Sequence, residues 1–298
     1  MTNLTVEEVN RKLKAKKVLS IVGKVAANVF IYFMLLLMYS PLIYIAVFSF
    51  TKADILGQWN DFSIDNYINL FKANNENARI LWSAIKNTLL VAGLSALIST
   101  VLGTLGAIGI HYTRKKWLKS TYGFINQIPV VNAEIVTAIS LCVLFILFTR
   151  LFNLPTSLFT VVLGHVVLSL PYVVLSVQPK LEQMDPSVYE AALDLGANQP
   201  TALWKVVVPD VIPGILTGFM LSITLSLDDY LITAFTKPDD GEFNTLSTFV
   251  DSTLARGNPP TILRAFTTLL FVVILIVMIV MNIKGIKDAK SINKKEIK

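Results

Sequence analysis

Long apolar runs separated by short polar stretches fill the chain from about residue 26 to 283. Crossing a hydrocarbon core of ~30 Å takes about 20 apolar residues in a helix, and six windows reach that length: roughly 26–50, 88–110, 127–148, 156–178, 212–235 and 263–283. The pattern predicts an all-α polytopic membrane protein with six transmembrane helices. The first window resembles a secretion signal in position, but its apolar part exceeds the roughly 7–15 residues of a signal's hydrophobic region and no A-x-A-like site follows, so it is read as a retained anchor. Pro41, Pro129 and Pro171 fall in the first, third and fourth windows, where they are expected to bend helices.

Composition and charge sharpen this picture. The 298 residues are 54% hydrophobic and only 15% charged, against about 25% charged in ordinary soluble domains, and the mean hydropathy is +0.62. The single cysteine, Cys142, lies in an apolar run, which removes internal disulfides and cysteine-based metal sites from consideration. Six spans put both termini on one side, and 18 of the 26 basic residues fall there: six in each tail, four in the loop after the second window, and Lys180 and Lys205 after the fourth. By the positive-inside rule that side is cytoplasmic. The net charge of +6 thus reflects topology and gives no argument for nucleic-acid binding. The domain reading is one membrane domain over 26–283, with floppy basic tails at 1–25 and 284–298.

Of the 20 acidic residues, only Glu134, Asp228 and Asp229 fall inside the windows, with no lysine or arginine beside them there. An ionised carboxylate at mid-bilayer costs roughly 2.5–3.5 kcal/mol on insertion scales, so such residues face a cavity, a partner or a substrate path. At 1.5 Å per residue Glu134 sits about 10 Å into the third window and the aspartates about 24 Å along the fifth, which predicts a two-level acidic path for cations. Tyr230 beside the pair and Tyr172 in window four are candidates for cation–π contacts. Two alternatives stay open: Asp228-Asp229 marks a break where span five meets the outer surface, capping a helix and solvated by water, and Glu134 bonds a neighbouring subunit.

Between windows four and five, residues 179–211 read as a compact helical hairpin. Asp185 before Pro186 is a good N-cap followed by proline at the first helical position, and no breaker follows until Gly196, which suits a left-handed C-terminal cap. A second short helix starts near Pro200 with Asn198 as a cap and is expected to finish near Pro209. Val188, Leu193 and Leu195 offer apolar contacts to a partner's groove. With five acids and only two bases, the segment lacks the basic face of a helix lying on lipid headgroups.

This hairpin carries the sequence Glu190-Ala191-Ala192-Leu193-Asp194-Leu195-Gly196, then nine residues, then Val206-Val207-Val208-Pro209. It resembles the EAA loop of ABC importer permeases, with valines where the tetrapeptide usually has Ile and Leu. Leu225-Ser226-Leu227-Asp228-Asp229-Tyr230, Phe243-Asn244-Thr245-Leu246, Asn258-Pro259-Pro260-Thr261 and the order of spans look like the PotC-type permeases of spermidine/putrescine importers. The resemblance implies a MetI-like permease fold and a coupling helix carrying Glu190, Ala191, Ala192, Gly196 and Pro209. It also implies a homologous PotB-like permease, a PotA-like ATPase pair that binds ATP and Mg, and a PotD-like substrate-binding protein at a bacterial plasma membrane. No G-x-x-x-x-G-K-[ST] phosphate loop occurs in the chain, in keeping with a transport subunit that has no cofactor or catalytic residues of its own.

The remaining signals are weaker. His165 reads first as a histidine hydrogen-bonded within the bundle and second as a proton relay. His111, Trp117 and the tyrosines near span ends read as interfacial. Residues 51–87 suggest an amphipathic outer helix with Trp59, Phe62, Tyr67, Leu70 and Phe71, either touching a binding protein or packing over the outer mouth. A secondary cation transporter would also place acids in its spans but needs no EAA-like loop, and a membrane enzyme would need a convergent set that two separated histidines do not supply. Within importers the all-acidic census disfavours anions and leaves iron, thiamine and other cationic solutes beside the polyamines.

Overall fold

The structure is a computed structural model that describes residues 6–296 apart from 54, 56, 73, 153–155, 239–242, 256, 258 and 259, with side chains left aside at 6–16, 18, 19, 281 and 284–296. Asn258 and Pro259 of the sequence motifs, and the outermost residues of both tails, lie outside the described residues. Helices follow one another as α1 (Val6–Phe48), α2 (Asp65–Leu70), α3 (Glu76–His111), α4 (Lys116–Val131), α5 (Glu134–Phe152) and α6 (Leu158–Gln183). They continue as α7 (Pro186–Asp194), α8 (Gln199–Ala202), a π-helical turn (Leu203–Val207), α9 (Val208–Asp228), α10 (Leu231–Thr236), α11 (Leu246–Ala255) and α12 (Thr261–Glu296). Among the described residues, six stretches are long and apolar enough to cross a membrane, beginning at Ser20, Glu76, Glu134, Leu158, Gln199 and Thr261. Their number and order are those of the six sequence windows.

Several expectations change in detail. The tails are not floppy where described: α1 begins at Val6 and α12 runs to Glu296, so each basic stretch continues the helix of its span. The chain forms two compact units instead of one, the first combining α1 and α2 with α12 and the second running from Arg79 to Gly257. The third window breaks: α4 carries Pro129 and ends at Val131, extended Asn132 follows, and the span proper starts at Glu134. Glu134 is therefore the first residue of a helix and not a turn or two inside one.

In the first unit, Arg264 of α12 is buried and donates from Nη1 to the Ala53 carbonyl at 2.9 Å. Among the described residues between α1 and α3 the short α2 stands in place of a long amphipathic helix; Asn66 is buried and donates to the carbonyls of Ser49 at 2.9 Å and Thr51 at 3.0 Å, while Trp59, Phe62 and Phe71 stay exposed. Apolar side chains of α1 are exposed from Ile21 to Val47, the condition of a helix whose solvent is lipid.

The second unit is built around α6, the most buried span. Its Val173, Val174, Val177 and Leu181 form a core with Val207 and Val211 beneath α9 and with Ala107 and Ile108 of α3. Small residues let these helices close up, as membrane packing requires. A Cβ on Gly214 would come within 2.8 Å of the Ser176 carbonyl, and one on Gly218 within 3.1 Å of the Val173 Cα. On α3 and α9, serines four residues apart pair in antiparallel register, Ser95 to Ser226 at 3.3 Å and Ser99 to Ser222 at 3.2 Å.

Candidate functional site

Two regions of the second unit gather the residues singled out by the sequence. The first is the hairpin. The Asp185 carboxylate accepts from Ser187 N at 2.9 Å and caps α7, whose first residue is Pro186. At the other end Gly196 has φ +86°, with Gly196 N donating to the Leu193 carbonyl at 2.9 Å and Ala197 N to the Ala192 carbonyl at 3.1 Å. These are the two bonds of a Schellman cap. Asn198 then caps α8 by accepting from Thr201 N at 2.9 Å.

The second helix does not finish at Pro209 as expected. It passes through the π turn, in which Val208 N reaches back to the Leu203 carbonyl, and runs on as α9. The wider turn makes Pro209 the second residue of a new helix, where its missing N–H leaves nothing unsatisfied. Glu190 and Ala191 are exposed, Ala192 is half-buried, and Val188, Leu195 and Trp204 display apolar surface, Leu195 at 90% exposure. Leu193, by contrast, is half-buried. Tyr189 faces inward and stacks on Tyr112 at the end of α3, ring centres 4.7 Å apart, which ties the hairpin to the core. Trp204 was not singled out in the sequence because a lone tryptophan between prolines has no periodicity to mark it.

The second region is the C-terminal end of α9. α9 stops at Asp228, Asp229 is extended, and α10 restarts at Leu231 without any proline or glycine at the break. The cause is local. Asp229 Oδ1 accepts from Ile232 N at 3.0 Å, and Oδ2 accepts from Thr233 N and Thr233 Oγ1, each at 2.9 Å, so the side chain satisfies the free amides of the next helix. His165 of α6 approaches the same Oδ2 with Nε2 at 3.3 Å. Asp229 and His165 are both buried. Hydrogen bonds to a charged group contribute about 1.5–3 kcal/mol each, enough for these three donors to offset the several kcal/mol of burying one carboxylate. Asp229 thus takes the helix-capping alternative, sealed by the bundle in place of water.

Glu134, at the start of α5, meets the Asp229 carboxyl in a hydrogen bond and lies within electrostatic reach of Asp228. The two-level path is corrected accordingly: the three acids form one cluster, because the break before α5 sets Glu134 at the level of the break after α9. Asp228 and Glu134 are exposed in this chain. Tyr230 is exposed too, and its hydroxyl donates to Asp251 Oδ2 of α11 at 2.8 Å, a partner that no spacing in the sequence announces. Tyr172 lies half-buried on α6, seven residues or about 10 Å beyond His165. Behind the cluster, Ser247 Oγ donates to the Asp229 carbonyl at 2.7 Å, and Asn87 and Thr88 of α3 hold Asn244 and Leu246 of the following loop. Among the described residues, no group of three or more His, Cys, Asp or Glu is placed to hold a metal.

α9 thus carries an exposed capped hairpin before its start and a cluster of carboxyls at the break after its end. Residues 99–290 match the family described as "Binding-protein-dependent transport system inner membrane component", and the chain belongs to that family. It is 27% identical over 235 residues to the putrescine transport system permease protein PotI of Escherichia coli strain K12, covering 78% of this chain and 81% of that protein. It is 29% identical over 248 residues to the spermidine/putrescine transport system permease protein PotC of Haemophilus influenzae, covering 83% and 91%. Among solved structures, a bacterial ABC transporter involved in the import of the acidic polysaccharide alginate shares the fold, with a TM-score of 0.64, 18% identity and coverage of 95% of this chain and 99% of that one. The chain is a multi-pass membrane permease with the MetI-like fold of ABC importers.

Proposed function

We propose that this permease moves polyamines inward across a bacterial plasma membrane, with spermidine or putrescine delivered from outside by a PotD-like binding protein. It works beside a homologous PotB-like permease. The energy comes from a PotA-like ATPase pair that binds ATP and Mg and docks on the hairpin through Glu190, Ala191, Ala192, Gly196 and Pro209. Both termini face the cytoplasm, in line with the basic residues of the tails. The single observation that carries the substrate reading is the cluster of Glu134, Asp228 and Asp229 at the break of α9. Asp228 beside the hydrogen-bonded Glu134 and Asp229 concentrates negative charge at the break, and a substrate ammonium neutralises it. Exposed Tyr230 adds an aromatic face worth about 0.5–2 kcal/mol to a desolvated ammonium. The polyamine permeases among its relatives support the same reading.

The test is uptake of radiolabelled spermidine and putrescine into proteoliposomes holding the chain with its co-purified partners, ATP inside and binding protein outside. ATP-dependent uptake of either is the expected result. ATP hydrolysis stimulated by the binding protein with uptake of neither would retain an importer and move the substrate to another cation, and uptake that persists without ATP would point to a secondary transporter.

A further inference from the structure

We propose that His165 is a positioning residue that holds the acidic break between α9 and α10, so that Asp229 organises the site and Asp228 with Glu134 faces the passing cation. The proposal rests on the cation-path reading given above and divides its labour. The bonds can be assigned from the network. Thr233 has one hydroxyl proton and gives it to Asp229 Oδ2 at 2.9 Å, so its oxygen accepts from His165 Nε2, also at 2.9 Å. With its proton on Nε2, a neutral imidazole accepts at Nδ1 from Ser226 Oγ, 2.7 Å away, and Ser226 accepts in turn from Ser95 at 3.3 Å. One directed chain therefore runs from α3 through α9 and α6 to α10, and every member is buried, Ser95 and Thr233 at 0% exposure.

Three consequences follow from that chain. The imidazole touches both sides of the break, Ser226 before it and Thr233 after it, so it ties together the two helices that the Asp229 cap separates. Asp229 is already met by His165, Thr233, Ile232 and Glu134, which leaves it little capacity for a substrate ammonium. Asp228, one residue earlier and exposed, takes its direction from that anchored neighbour. The space around the ring is fixed as well: a Cβ on Gly164 would stand 2.7 Å from the Ile232 Cγ2, so α10 rests directly on α6.

The experiment uses the complete complex in proteoliposomes. With Cys142→Ser as background, Asp228→Cys reports the break and Leu254→Cys, exposed on α11 outside the spans, serves as the control. We expect His165→Leu to change the rate of Asp228→Cys modification by a membrane-impermeant cationic thiol reagent at least fivefold and leave the control within twofold. His165→Gln, which retains a donor toward Thr233, should bring the rate back within twofold. In the cysteine-intact complex, His165→Leu should lower polyamine carried per ATP hydrolysed at least fivefold while stimulated hydrolysis persists, and His165→Gln should restore the ratio. An unchanged rate at position 228, or equal changes at 228 and 254, overturns the proposal, as does failure of His165→Gln to restore either readout. If Leu at 165 prevents assembly, Thr233→Ala cuts the same link and is read in its place. Failure of the polyamine reading shows separately, as absent uptake by the unmutated complex, and the thiol rates then decide alone.

Discussion

Adjacent aspartates with the same chemistry occupy opposite environments. Asp229 is buried and accepts from three donors, while Asp228 is exposed, with Glu134 on the same cluster. Removing one charge from the exposed pair should weaken the attraction for a polyamine without disturbing the break. Asp228→Asn and Glu134→Gln are each expected to reduce polyamine uptake about tenfold, with complex yield unchanged, a factor that corresponds to about 1.4 kcal/mol. Uptake and yield measured side by side check this, and normal uptake in both variants would remove the acids from the path. The sequence exposed these acids because charge in an apolar window costs several kcal/mol and needs a reason. It hid their grouping, because Glu134 owes its level to an interruption at Asn132 that Pro129 did not locate. Ser95, Ser99, Ser222 and Ser226 were legible only as four-residue spacings, and the partner of a membrane serine is settled by helix packing rather than by periodicity.

Elements with strong local signals came out as read. The hairpin is determined by Asp185, Pro186, Gly196 and Asn198, each acting through bonds within a few residues, so the sequence contained all of it except its far end. The far end depends on the π turn, which no residue between 203 and 207 encodes on its own. Gly196 has nothing within 4 Å of a built Cβ, so the cost of replacing it is conformational alone. Gly196→Val should destabilise the hairpin by roughly 1–2 kcal/mol, and Gly196→Asn by less, because asparagine visits the left-handed region. Protection of α7 amides from hydrogen exchange measures this.

Asp185 adds a pH dependence with a definite sign. The Ser187 N–H bond pulls its carboxyl below the usual range, so the cap is complete above the ordinary carboxylate pKa and fades as pH falls through the lowered value. Asp185→Asn keeps the cap and should abolish that dependence, read as α7 protection after correction for the intrinsic pH dependence of exchange.

At the scale of the whole molecule, the fifth span joins the two candidate regions in one piece. From Gln199 to Asp228 the chain is helical for 30 residues, about 45 Å, with the hairpin at its start and the acidic break at its end. Gly214 and Gly218 seat this rod against α6, whose His165 holds the break, and Tyr189 seats the hairpin against Tyr112. Movement of the hairpin by a partner therefore reaches the acids through a stiff element, provided the hairpin is gripped. A partner alters the balance of two transport states only through its different affinity for each, and Glu190 is an exposed charged group of the motif, beside the exposed Asp194, that can serve such a grip. Glu190→Lys reverses its charge without touching the caps, the Tyr189 contact or the acids. In reconstituted complexes we expect this variant to bind the loaded binding protein as the unmutated complex does, yet to lose uptake and the stimulation of ATP hydrolysis together, each by tenfold or more. Normal stimulation in Glu190→Lys would place the grip elsewhere on the hairpin, with Leu195 and Trp204 as the exposed surface to examine next.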